Sequence, residues 1–167
     1  MVALAQKGIL FIFDLGYCKL KAFAHLATAG AYFLSRLNHQ TTLLTTVGGQ
    51  WQLLALANWL TTVEGQLLER PIFLGEKERV AARLIVARVP EAIMNERRRK
   101  ARKNAQKKGD TPSQAHLTLL SWNLFITNVP STIWQTATVL KVYPLRWQIE
   151  ISQPYNGSRE CLSLVAA

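Results

Sequence analysis

Three side chains near the end of the chain are spaced to act together. In "YPLRWQIE", Tyr143, Arg146 and Glu150 are separated by three and then four positions. At ~3.6 residues per helical turn that spacing sets them in one row. Alone, the row equally fits a surface Arg146–Glu150 pair worth ~0.3–0.5 kcal/mol. A further carboxylate, Asp14, ends the apolar run "ILFIF" (Ile9–Phe13). That is the C-terminal end of an expected strand, where α/β sheets commonly place their chemistry. The third feature is a run of charge. Residues 96–108, "ERRRKARKNAQKK", hold eight bases and one acid, a net +7. A surface so loaded is suited to phosphate, and an overloaded solvated helix face is the alternative.

The whole chain carries +10, so outside that run only +3 remains. Its 167 residues suffice for one domain, and an apolar fraction of 49% argues against disorder. Cys18 and Cys161 form no C-x-x-C pair, and His25, His39 and His116 are scattered. A zinc or redox motif is therefore unsupported. No apolar run reaches the ~18 residues of a membrane span, and the N-terminus lacks a signal-peptide pattern. The expectation is a cytoplasmic protein with no membrane partner.

The elements that must hold these residues follow from pattern. Five successive apolar residues, Ile9 to Phe13, predict a strand buried on both faces. "YCKLKAFAHLATAG" predicts a helix stopped by Gly30. "AYFLSRL" and "TTLLTTV" predict strands, and "WQLLALANWL" one short helix. "QLLERPIFLG" and "RVAARLIVARV" predict strands, with Pro71 marking an edge or bulge. Residues 91–108 predict the basic helix, stopped at Gly109. Thr111 with Pro112 predicts the start of another helix. "NLFITNV" predicts a strand, after which Ser131 or Thr132 is expected to cap a helix into "IWQTATVLKVY". The fold class is α/β (α+β), in one domain.

"FDLGY", "YFLSRLN", "ITNVP" and "Y-x-x-R-W-Q-I-E" together resemble the DDE transposases of bacterial insertion sequences. The resemblance is to the subgroup with a Y-x2-R-x3-E-x6-K motif and a β-rich insertion before the catalytic glutamate. It covers roughly residues 8–152. It implies a partial ribonuclease-H-like catalytic domain over 1–152, with an insertion at about 41–121 that includes the basic helix 91–108, and a divergent tail at 153–167. It implies that Asp14 and Glu150 are catalytic carboxylates binding Mg²⁺, since that ion takes hard oxygen ligands. Tyr143 and Arg146 would contact DNA phosphate, where arginine's planar fork can bind two oxygens. Arg97, Arg98, Arg99, Lys100, Arg102 and Lys103 would bind DNA from the basic helix. The implied partner is transposon-end DNA, with a homodimer in the intact family.

The pattern also breaks. The family has an earlier aspartate, but the 13 residues before Asp14 include no acid, and Asp110 follows it in a "KKGDTP" turn. The motif lysine would fall at Gly157. Pro154 would withdraw the backbone donor that normally bonds to the Glu150 carbonyl. The expectations are thus a transposase fragment that binds DNA but does not cut it alone, and an Ile9–Phe13 strand left partly unpaired with an exposed apolar edge. The alternative is a non-catalytic nucleic-acid-binding protein using the basic helix. Of Trp51, Trp59, Trp122, Trp134 and Trp147, most are expected in the core.

Overall fold

The structure, a computed structural model, describes residues 5–15, 19–145 and the backbone of 162–165. Arg146, Trp147, Glu150, Pro154 and Gly157 lie outside the described residues. In chain order the elements are β1 (Ile9–Phe13), α1 (Leu20–Thr28), β2 (Tyr32–Arg36), β3 (Leu43–Val47), β4 (Gln50–Leu53), α2 (Leu56–Thr62), β5 (Leu67–Leu74), β6 (Val80–Arg88), α3 (Glu91–Gln106), α4 (Gln114–Leu119), β7 (Trp122–Thr127), α5 (Thr136–Val142) and β8 (Leu162–Val165). The described strands form one mixed sheet in the order β4-β3-β5-β6-β7-β2-β1-β8. This is the expected α/β class. No helix among the described residues is long and apolar enough to cross a membrane.

Strand β1 explains why the sheet is covered on both faces. Its alternate residues Phe11 and Phe13 enter one core with Phe23 and Leu26 of α1 and Phe33 of β2. Leu10 and Ile12 enter a second core with Phe125, Val129, Val139 and Tyr143. A strand with period-2 side chains can be apolar throughout only if both faces are buried. Helices α1 and α2 cover the first face, and α5 covers the second. The phenyl rings of Phe23 and Phe33 stack at 4.4 Å, and Phe13 meets Phe23 edge-on at 5.3 Å. Strand β1 pairs in parallel with β2, which requires a crossover, and α1 supplies it. That helix ends as a left-handed turn at Gly30 (φ +71), where the Ala31 amide donates to the Leu26 carbonyl at 2.9 Å.

The central segment continues the same sheet, since β5 pairs with β6 and β6 with β7 along their lengths. Pro71 sits opposite Arg83 of β6, while β3 reaches only Phe73 and Leu74 of β5. On the β3 side Pro71 is therefore at an open edge, where its missing donor leaves no ladder bond broken. The "ITNV" segment stitches β7 to β2 beyond their regular pairing. The Thr127 hydroxyl donates to the Phe33 carbonyl at 2.6 Å, and the Asn128 side chain accepts from the Phe33 amide at 2.7 Å. Asn128 also donates to the Ala31 carbonyl at 3.0 Å.

Four expectations are corrected. "WQLLALANWL" is not one helix: its start is β4, turned back on β3 through Gly48 and Gly49 with φ +58 and +79. Two left-handed residues are the geometry that a two-residue hairpin demands. The helix after the basic one is capped by Ser113, not Thr111, because the Ser113 hydroxyl accepts from the His116 amide at 3.2 Å. Ser131 and Thr132 lie instead in a turn whose Pro130 carbonyl accepts from the Ile133 and Trp134 amides at 3.0 Å, and α5 begins only at Thr136, after an extended Gln135 (ψ 154). Finally, β1 does not present an open edge. The tail strand β8 pairs with it antiparallel, from Ile9↔Val165 to Ile12↔Leu162. Deleting residues 162–167 should expose that ladder and promote strand-to-strand association. Light scattering of the shortened chain should then rise with concentration; unchanged scattering would show that β8 protects nothing.

Candidate functional site

Parallel β1 and β2 end together, and the residues at that end define the site. Asp14 follows Phe13 directly, one step beyond the Phe13↔Ser35 pair and level with Arg36↔Phe125. In the alternation of β1 it falls with Leu10 and Ile12, the side covered by α5. The Asp14 carboxylate is exposed and accepts from the Leu15 amide at 2.7 Å. Two strand spacings away, roughly 10 Å, the ring of Phe125 carries Tyr143 edge-on at 5.0 Å. Tyr143 is 7% exposed. Helix α5 starts beside β5, where Thr136 bonds to Glu69, and crosses the strands to bring Tyr143 over Phe125 of β7, level with Arg36 and Asp14.

Helix α3 reaches the same end. The Arg97 guanidinium donates to Asn123 Oδ1 at 2.9 Å and to the Trp122 carbonyl at 3.4 Å, both at the start of β7. Burial, and then the positive charge of Arg36, depresses the pKa of Arg97 below the usual arginine value. Arg98 donates to Ser121 Oγ at 3.0 Å and to the Leu117 carbonyl at 3.4 Å, tying α3 to the end of α4. No residue of α3 is buried, so these arginines replace the apolar stripe that normally holds a helix. Arg99, Lys100, Arg102 and Lys103 are exposed, as are Lys107 and Lys108 just beyond the helix. Lys100 pairs with Glu96 at 2.6 Å and holds that carboxyl below its usual range.

Of the sequence-predicted residues, the structure therefore brings Asp14, Tyr143 and Arg97 to one end of the sheet. Arg98 is turned to its own chain. Arg146 and Glu150 lie outside the described residues. The tryptophans divide: Trp122 is core, Trp59 and Trp134 pack against the two cores, and Trp51 is 41% exposed under the Arg79 guanidinium at 4.7 Å.

Asp14 offers the hard oxygen donors that Mg²⁺ takes. Among the described residues, however, no group of three His, Cys, Asp or Glu side chains converges. The described donor set does not by itself fit a magnesium site.

Sequence reasoning missed one cluster. Arg83 on β6 forms a two-pronged pair with Glu69 on β5, Nε to Oε1 at 2.8 Å and Nη2 to Oε2 at 2.6 Å. Its Nη1 donates to the carbonyls of Val129 at 2.7 Å and Trp134 at 2.9 Å, and Thr136 Oγ1 donates to Glu69 Oε2 at 2.5 Å. The available signal was the lone acid of β5, Glu69, beside an arginine inside the adjacent apolar strand, Arg83. The hydrogen bond from Arg83 leads the causes that hold the Glu69 carboxyl below its usual 4.5, against a desolvation that pushes it up. A depressed folded-state value means stability is full above pH ~4.5 and is lost as pH falls below it, through the folded pKa. Acid titration of the unfolding midpoint should show this loss, and Glu69→Gln should flatten it. An equal slope in the variant would assign the loss to other carboxylates.

The family model for the transposase DDE domain matches residues 1–153. The transposase for insertion sequence element IS231C of Bacillus thuringiensis subsp. berliner is 32% identical over 161 residues, 87% of this chain and 34% of that protein. The transposase for insertion sequence element IS231E of Bacillus thuringiensis subsp. finitimus is 28% identical over 165 residues, 90% of this chain and 34% of that protein. The transposase for insertion sequence element IS1151 of Clostridium perfringens is 31% identical over 155 residues, 83% of this chain and 32% of that protein. The chain spans about a third of the length of the curated relatives it matches. No solved structure matches it.

Proposed function

This chain belongs to the transposase DDE domain family, and on that premise we propose that it carries the DNA-facing part of a transposition site. Asp14 and Glu150 are the carboxylates that would hold Mg²⁺, which in the intact site polarises the scissile phosphate. Arg146 grips DNA phosphate, while Tyr143 is buried against Phe125 and packs the end of α5 in place. The exposed bases of α3, Arg99, Lys100, Arg102 and Lys103, follow the DNA backbone, while Arg97 and Arg98 hold the helix in place. The observation that carries this reading is convergence. The end of β1, the anchored side of α3 and the last turn of α5 lie within about two strand spacings, roughly 10 Å, of each other along β1, β2 and β7.

As a separate chain it binds DNA without cutting it. The reading assigns the metal two carboxylates, Asp14 and Glu150, fewer hard ligands than a two-metal site takes. An end-cleavage assay with Mg²⁺ or Mn²⁺ should give intact DNA. Cleavage that Glu150→Ala abolishes would refute the claim. The second reading, a non-catalytic nucleic-acid-binding protein, is favoured by the exposed charge of α3.

Both readings require backbone contacts through α3. Replacing Arg99, Arg102 and Lys103 together by glutamine should lower the slope of log K against log salt by about 2.7 on duplex DNA. These side chains make no contact that anchors the helix, unlike Arg97 and Arg98, so folding should be spared. An unchanged slope would remove α3 from the interface.

A further inference from the structure

We infer that the open edge of β4 is a self-association surface, on which a second copy of this chain pairs β4 with β4 antiparallel about a two-fold axis at Gln52. The inference does not depend on the DNA reading.

Strand β4 ends the sheet, and among the described residues its ladder partner is β3 alone. The Leu54 amide donates to the Leu43 carbonyl at 2.9 Å, so the backbone of residue 54 faces β3. By the alternation of a strand Gln52 and Gln50 face β3 too, and Trp51 and Leu53 turn their N–H and C=O groups outward. Open edges are normally blunted by a charge, a proline or a bulge. "QWQL" has neither charge nor proline, and its register with β3 runs without a bulge. All four of its residues are exposed.

The residues that bond outward also carry apolar side chains. Leu53 is 69% and Trp51 41% exposed, and neither belongs to a core. Leu54 packs against the first core, so Leu53 and Trp51 lie on the opposite face of the sheet. The Trp51 ring meets Phe73 edge-on at 4.7 Å and lies under the Arg79 guanidinium, which fixes its orientation before a partner arrives. In a pair centred on Gln52, Trp51 of each copy stands opposite Leu53 of the other. Both of these are hydrogen-bonded pairs, and each apolar side chain gains a cross-strand neighbour.

Charge selects a second copy over nucleic acid at this edge. Residues 40–63 contain no Asp, Glu, Lys or Arg, in a chain of net +10. Two such chains repel overall and can meet where the strand itself carries no charge, whereas a phosphate backbone is drawn to α3. The contact is isologous, so two copies satisfy it and it does not propagate.

Sedimentation equilibrium of the full chain over a range of concentrations should show the mass rise from 18.8 kDa toward about twice that and stop there. Leu53→Lys charges the edge, and Leu53→Pro removes an outward donor but no bond to β3, so each should return the mass to one chain. Ile93→Lys charges an exposed apolar residue of α3 instead and should leave the association unchanged. The register is tested by cysteine. In the pair, the two Gln52 Cα atoms are about 4.5 Å apart, within reach of a disulfide, and those of Gln50 roughly 14 Å apart. Mild oxidation should therefore cross-link Gln52→Cys and not Gln50→Cys. A mass of one chain at every concentration, or association that both Leu53 variants leave intact, would overturn the inference. If the Leu53 variants lose the far-UV spectrum of the parent, the cysteines decide: cross-linking confined to Gln52→Cys supports the β4 pair, and equal or no cross-linking overturns it.

Discussion

Everything in this fold follows from burying β1 on both sides. Five consecutive apolar residues cannot face water on either side of a sheet without a cost of about 1.5–3 kcal/mol for each large side chain. One layer of helices must therefore lie above the strand and another below. The parallel β1–β2 pair supplies α1 for one face as its crossover, and the chain must return much later to supply α5 for the other. The long central segment between them is tolerable because it extends the sheet through β6 and β7 rather than forming a structureless loop. Asp14 inherits its place from the same constraint. It is the first polar residue after a strand whose position is overdetermined by two cores, so its backbone is held rigidly although its side chain is exposed.

The basic helix obeys a different logic. A sequence that is polar all round does not fold as a surface helix by burial, and α3 has no buried residue. It is held by hydrogen bonds from Arg97 and Arg98 to groups at the ends of α4 and β7. The division of labour within one charge run is thus geometric. The adjacent Arg97 and Arg98 anchor the helix, and Arg99, Lys100, Arg102 and Lys103 stay in water.

The sheet strands and the basic helix were legible in the sequence because their patterns are local. Continuous apolarity announced β1, and branched residues announced β5 and β6. What local pattern could not supply was the partner of each polar group. Arg83 takes the Trp134 carbonyl, and the turn at Pro130 followed by an extended Gln135 delays α5 past Ser131 and Thr132, which composition alone favoured as caps. Trp51 and its neighbours looked helical until two glycines folded them onto β3. The Asp14 position was readable from a strand ending in a carboxylate. Its company was not, since Arg36, Asn123 and Arg97 join it only through the register of β1, β2 and β7.

That company bears on why a charged ligand belongs there. Arg36 and Arg97 lie close enough for each charge to disfavour the other, and Arg97 is partly withdrawn from water as well. Like charges brought together at the edge of a core oppose folding, and here the fold tolerates them because Arg97 is satisfied by a side-chain amide and a carbonyl, neither of which neutralises it. The positive potential is left unspent by these contacts. An anionic backbone laid across this end of the sheet would be attracted by both guanidiniums and by the exposed bases of α3, and would offset the repulsion between them. A carboxylate beside such a field is the reverse of what anion binding alone requires. The Asp14 carboxylate limits that attraction, since it repels the same anion that the two guanidiniums draw in.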